Sequence, residues 1–145
     1  KAIELAEERR EAETARLKAL QEYFFERIEK EFAEAEINGS KEHRVPNNIN
    51  VSFPGLDAES LLLQMDAKGI AISTRSACLF GTEGGSFVVT ALGKDLSCAT
   101  SSIRFTMGKG STKEHVDRTI EALEEVVALA RESQKLAQMA AISTS

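Results

Sequence analysis

The strongest constraint on the fold is a helical repeat near the start of the chain. Leu17, Leu20, Phe24, Ile28 and Phe32 recur at helical spacing with charges between them, so residues 1–36 read as one long helix. Its first turns are poorer in large apolar residues and richer in Glu and Arg. That suits a solvated helix, or one that docks on a neighbour. The apolar heptad is not sustained, which argues against a coiled coil. A second helix of this kind closes the chain, with Val116, Ile120, Leu123, Val127 and Ala130 on one stripe. Ser111 and Glu114 stand at capping-box spacing before it.

Between these helices the periodicity shortens. Residues 35–38 and the alternating NINVSF at 48–53 read as strands. The loop between them carries Asn38-Gly39 and Pro46 as turn markers. Pro54-Gly55 ends the second strand. Asp57 is placed to cap a helix reaching about Lys68, with Leu61, Leu62 and Met65 on its buried side and Gly69 at its end. IAIS at 70–73 is a short β-prone run, and residues 86–92 suit a short helix. SSIRFTMG at 101–108 reads as a strand with Ile103 and Phe105 on one face and Arg104 on the other. The expected class is α+β, a small sheet packed with helices, with no internal repeat and no low-complexity segment.

At 145 residues the chain suits one domain, and a 42% hydrophobic content can build a core. A net charge of -5 argues against direct nucleic-acid binding, which needs a basic surface. No apolar run approaches the length of about 18 residues that a membrane span requires, and no signal peptide is visible. Two cysteines do not make a disulfide framework, which points to a reducing, cytoplasmic setting. Lys1 falls inside a helical pattern, so the chain reads as a piece of something longer.

The candidate chemistry centres on STRSACLFGTEGGS, residues 73–86. Cys78 stands there among small, turn-forming residues, with Arg75 nearby and Gly81, Gly84 and Gly85 giving the following segment freedom to swing. A nucleophilic thiol and a small buried hydrophobe are both open readings of Cys78. Cys98 reads as structural, though pairing with Cys78 stays open. His43 and His115 read as surface residues. The scattered cysteines and histidines show no metal-ligand spacing. Arg104, alone in an uncharged strand, suits either a carboxylate partner or an outward-facing strand arginine. TEGGS lacks the spacing of a nucleotide-binding loop. Asn47, Asn48 and Asn50 fit binding roles and turn or strand-entry roles equally well.

The segment VPNNINVSFPGLDAESLLLQMDAKGIAISTRSAC, then ALG, then SSIRFTMGKGSTKEHVDRTIEALEEVV closely resembles the C-terminal small domain of cysteine desulfurases. These are class V members of the pyridoxal-phosphate (PLP) aminotransferase family. The likeness covers about residues 45–130, and the preceding helix fits the helix that links large and small domains. The resemblance implies residues 1–36 as that linking helix and 37–133 as the small domain, and residues 134–145 read as a frayed tail.

It also implies that Cys78 is the catalytic nucleophile and that Arg104 holds the substrate carboxylate. Asn47 matches an asparagine near the substrate, while Ser76 and Ala77 are motif residues without a clear chemical duty. The implied substrate is L-cysteine and the implied partners are a sulfur-acceptor protein, such as an iron–sulfur scaffold, and a second subunit in a homodimer. The lysine and stacking histidine that hold PLP belong to the family's large domain, so no cofactor-binding residue is expected in this chain. Arg75 is expected to help lower the Cys78 pKa. The chain departs from the family at Arg75, where glycine is usual, and at Leu79 and Phe80, where small residues are usual. It departs again at Glu83-Gly84-Gly85-Ser86, where Glu-Pro-Ser is common, and at Thr100, where histidine is common. Rival readings are another class V enzyme, a selenocysteine lyase or an aminotransferase, and a non-catalytic sulfur carrier.

Overall fold

The computed structural model describes residues 1–74 and 85–143. Helix α1 spans Ala2–Glu31, strand β1 Glu36–Ile37, strand β2 Asn48–Ser52 and helix α2 Ala58–Ala67. Two short helices follow, α3 at Phe87–Ala91 and α4 at Leu96–Thr100. Strand β3 covers Ser102–Thr106 and helix α5 runs Lys113–Ser143. The strands form one antiparallel sheet in the order β1-β2-β3. The architecture is the expected α+β arrangement.

The sheet has two unlike faces because side chains alternate along a strand. Ile49, Val51, Ile103 and Phe105 all point into the core. Phe24 and Ile28 of α1, Leu61 and Met65 of α2, and Ile120, Leu123 and Val127 of α5 cover them. Phe24 and Phe105 meet at a tilt with ring centroids 4.9 Å apart, and Phe32 meets Phe53 edge-on at 5.4 Å. Fully burying one such side chain contributes roughly 1.5–3 kcal/mol, so this one layer carries most of the stability. The other face carries Asn50 and Arg104, both half-buried. It is partly roofed by α3 and α4, whose Val89, Cys98 and Ala99 make a small second core.

Local chemistry explains the element ends. Asp57 accepts the Ser60 N–H at 2.7 Å and caps α2. Gly69 follows that helix at φ 75°, a left-handed conformation that glycine adopts without steric cost. Arg16 reaches from α1 to the carbonyls of Ser111, Gly108 and Lys109 at 2.5, 2.9 and 3.2 Å, holding the turn before α5.

Several expectations need correction. Helix α1 stops at Glu31, not near residue 36, because Phe32 leaves helical geometry and turns into the Phe53 contact. The IAIS run is not a strand; only Ser73 forms a bridge, to Arg104. Leu62 is half-buried while Ala58, Leu61 and Met65 carry the packing of α2. The start of α5 is capped by Thr112 and His115, not by Ser111 and Glu114. Thr112 Oγ1 accepts the His115 N–H at 3.4 Å and His115 Nδ1 accepts the Thr112 N–H at 3.3 Å. Ser111 instead accepts the Gly108 N–H at 3.0 Å. Helix α5 continues through Ser143, further than a frayed tail from residue 134 suggests, since Gln, Lys, Leu, Ala and Met are all good helix formers.

Candidate active site

Arg104 is positioned by its neighbours on both sides in the sheet. Its backbone N–H donates to the Ser73 carbonyl at 2.6 Å and its carbonyl accepts the Ser73 N–H at 3.0 Å. On the other side it lies opposite Asn50 of β2. Its guanidinium opens into a cleft of about 330 Å³. Asn38, His43, Arg44, Asn48 and Asn50 line one wall, while Val88, Val89 and Leu92 of α3 supply an apolar one. Thr74 and Ser86 line it too.

The electrostatics are one-sided. Among the described lining residues there are two arginines and no aspartate, glutamate or lysine, although the chain as a whole is acidic. The Arg44 side chain is committed to structure. It donates to the carbonyls of Ser40 at 2.7 Å and of Asn38, and its guanidinium lies 5.3 Å from the centre of the Phe25 ring. Burial pushes its pKa below the usual arginine range. Arg104, by contrast, has no ion-pair partner among the described residues. A half-buried guanidinium with a free fork is a ready partner for a carboxylate.

Cys78 lies outside the described residues. Both flanks of its segment are held at this cleft. Ser73 is bridged to Arg104, and the Ser86 N–H donates to the Ala99 carbonyl at 2.8 Å. Gly85 allows a close backbone approach here. A Cβ there would stand 2.3 Å from the Ala99 carbonyl carbon. Asn47 is not among the cleft-lining residues; its backbone carbonyl accepts the Met107 N–H at 2.9 Å, and Asn48 reaches the cleft instead.

The sequence reading missed Asn38 and Arg44, which were seen only as parts of a turn and a charged loop. It also missed helix α4, where Asp95 accepts the Cys98 N–H at 2.9 Å. Cys98 is a free thiol, only 2% exposed. Burial, then a hydrogen bond with Asp95, pushes its pKa up to about 11, which disfavours the reactive thiolate.

The aminotransferase class-V family model matches residues 1–119. The chain belongs to the aminotransferase class-V family. A cysteine desulfurase IscS from Dictyoglomus turgidum is 40% identical over 127 residues, spanning 88% of this chain and 32% of that protein. Another from Anaeromyxobacter sp. (strain K) is 43% identical over 139 residues, spanning 96% of this chain and 34% of that protein. The X-ray structure of a NifS-like protein from Rickettsia africae shares the fold with a TM-score of 0.72 and 27% identity, over 86% of this chain and 31% of that one. The chain spans about a third of the length of the curated relatives it matches.

Proposed function

We propose that the complete protein is a PLP-dependent cysteine desulfurase that converts L-cysteine to L-alanine and keeps the sulfur as a persulfide on Cys78. The observation that supports this most is the half-buried Arg104 guanidinium, without an ion-pair partner or a cleft carboxylate among the described residues, tied by its backbone to the segment that leads into Cys78. The names of the relatives support it independently.

Within this reading each residue has a physical task. Arg104 binds the substrate carboxylate through both oxygens and so fixes where the substrate sulfur lies. The Cys78 thiolate attacks that sulfur. A sulfur–sulfur bond forms, the substrate carbon–sulfur bond breaks with its electron pair left on the carbon fragment, and protonation of that fragment gives L-alanine. PLP, when bound, supplies the electron sink for this cleavage. The residues present fit the substrate side of that chemistry. The family resemblance puts the lysine that holds the cofactor in the large domain.

The persulfide sulfur then passes to the thiol of an acceptor protein such as an iron–sulfur scaffold, by ordinary thiol exchange chemistry. We place the enzyme in the cytoplasm as a homodimer. Incubating the complete protein with PLP and L-cysteine and quantifying L-alanine tests the proposal. L-Alanine that forms in wild type and is lost in Cys78→Ala supports it. PLP bound with no L-alanine formed moves the reading to another class V reaction. A strong preference for L-selenocysteine would move it to a selenocysteine lyase.

A further inference from the structure

The polar row beside Arg104 has a fixed hydrogen-bond polarity. Because Arg104 gives both its backbone groups to Ser73, its pairing with Asn50 across the sheet is of the non-hydrogen-bonded kind. In such pairs the Cα atoms are only about 4.5 Å apart and the side chains are at their closest. Strand alternation puts both side chains on the cleft face, since their neighbours Ile49 and Phe105 are in the core.

The orientation of the Asn50 amide follows from a chain of bonds behind it. The Ser52 hydroxyl donates to the Cys98 carbonyl at 2.7 Å, so its oxygen is left to accept. It accepts from Asn38 Nδ2 at 2.8 Å, which identifies that end of the buried Asn38 amide as the donor. The same Nδ2 donates to Asn50 Oδ1 at 2.7 Å. Asn50 therefore turns its oxygen toward Asn38 and its NH₂ group away from it. Among the described residues no acceptor meets that NH₂ group. Asn38 Oδ1 is buried and has no partner among the described residues.

We propose that Asn50 is a second donor to the carboxylate that Arg104 binds, held in its donating orientation by Asn38 and Ser52. This rests on the reading of Arg104 as the carboxylate partner. An amide N–H beside a guanidinium gives the site two directional contacts to one carboxylate, so it selects an α-amino acid over the corresponding amine. Asn38 acts as a positioning residue through Asn50.

The test uses the complete protein loaded with PLP, titrated with L-alanine and with ethylamine, its carboxylate-free analogue. Asn50→Ala should weaken L-alanine binding about tenfold, the scale of one hydrogen bond to a charged group, and leave ethylamine unchanged. Asn50→Asp still accepts from Asn38, so its fold is preserved, but it turns a carboxylate oxygen on the ligand. It should weaken L-alanine roughly a hundredfold, again sparing ethylamine. If both variants bind L-alanine as wild type does while Arg104→Ala loses it, Asn50 is excluded and Arg104 stands. If Arg104→Ala is also unaffected, or wild type does not distinguish the two ligands, both readings fail. Thermal melting of each variant checks folding, and Asn50→Asp decides the matter if Asn50→Ala does not fold.

Discussion

Ser73 and Arg104 exchange both of their backbone hydrogen bonds, at 2.6 and 3.0 Å. One pair of bonds thus links the strand that carries the guanidinium to the segment that leads into Cys78. Ser73→Pro removes the donor from that pair. In the complete protein it should lower kcat/KM for L-cysteine about tenfold or more, the effect of losing one such bond from the aligned site. Ser73→Ala keeps both backbone bonds and should stay within about twofold of wild type. Steady-state kinetics on the two variants separates the backbone link from any role of the hydroxyl.

Gly85 anchors the far side of the same segment. A methyl group there would overlap the Ala99 carbonyl, 2.3 Å from its carbon and 2.5 Å from its oxygen. Gly85→Ala should therefore reduce stability by roughly 1–3 kcal/mol, as overpacking usually does. Gly108 has open space around it, so Gly108→Ala should change stability by no more than about 0.5 kcal/mol. Urea unfolding midpoints compare the two directly.

Cys98 makes stability depend on pH at the alkaline end. Its thiol titrates at about 11 in the folded protein, above the ordinary cysteine range, because burial disfavours the thiolate. The folded state thus holds the proton more tightly than the unfolded chain. Stability from this group is fully present below about pH 8.5 and is lost as pH rises through the folded value, to a total of about 2–3 kcal/mol. Denaturation at pH 8 and at pH 11 should show a smaller decline in Cys98→Ala than in wild type. Equal declines would remove Cys98 as the cause. Iodoacetamide should modify Cys98 only as the protein unfolds.

Helices α1 and α5 are joined by a charged triad at their crossing. Tyr23 donates its hydroxyl to Asp117 Oδ1 at 2.5 Å, and Arg27 donates to the same oxygen at 2.5 Å. The group is partly exposed, with side-chain exposures of 21% for Arg27 and 34% for Asp117, so its contribution is modest. Tyr23→Phe should cost about 1 kcal/mol. Asp117→Ala should cost about 1 kcal/mol, because Tyr23 loses its acceptor while Arg27 keeps Glu31 at 3.4 Å and the Tyr23 hydroxyl at 3.2 Å. A double-mutant cycle between Tyr23 and Asp117 should show a coupling of about 0.5 kcal/mol or more.

Much of the fold was legible because periodicity and caps are local signals. Asp57, Gly69 and the alternation around Ile49 and Val51 place α2 and β2 closely. Helix α4 was not legible, since five residues give no periodicity and its cap, Asp95, sits inside a polar run. The Thr112–His115 cap was hidden because a serine one position earlier fits the same rule. Arg104 stood out as the lone charge in an apolar strand. Asn38 and Arg44 did not, because a turn asparagine and a loop arginine acquire their roles only when the loop folds over Phe25 and back onto the Asn38 carbonyl. The partner for Asn50 is likewise a tertiary fact, set by strand register and by a serine hydroxyl that has already spent its proton.

The most direct test of the account is to find the sulfur. The complete protein would be incubated with PLP and L-cysteine, its thiols trapped by alkylation, and the peptide containing Cys78 examined by mass spectrometry. The account predicts one added sulfur on Cys78, absent from Arg104→Ala at low L-cysteine and from Cys78→Ala throughout, with Cys98 unmodified in the native protein. An unmodified Cys78 in a PLP-loaded protein that releases L-alanine would contradict it.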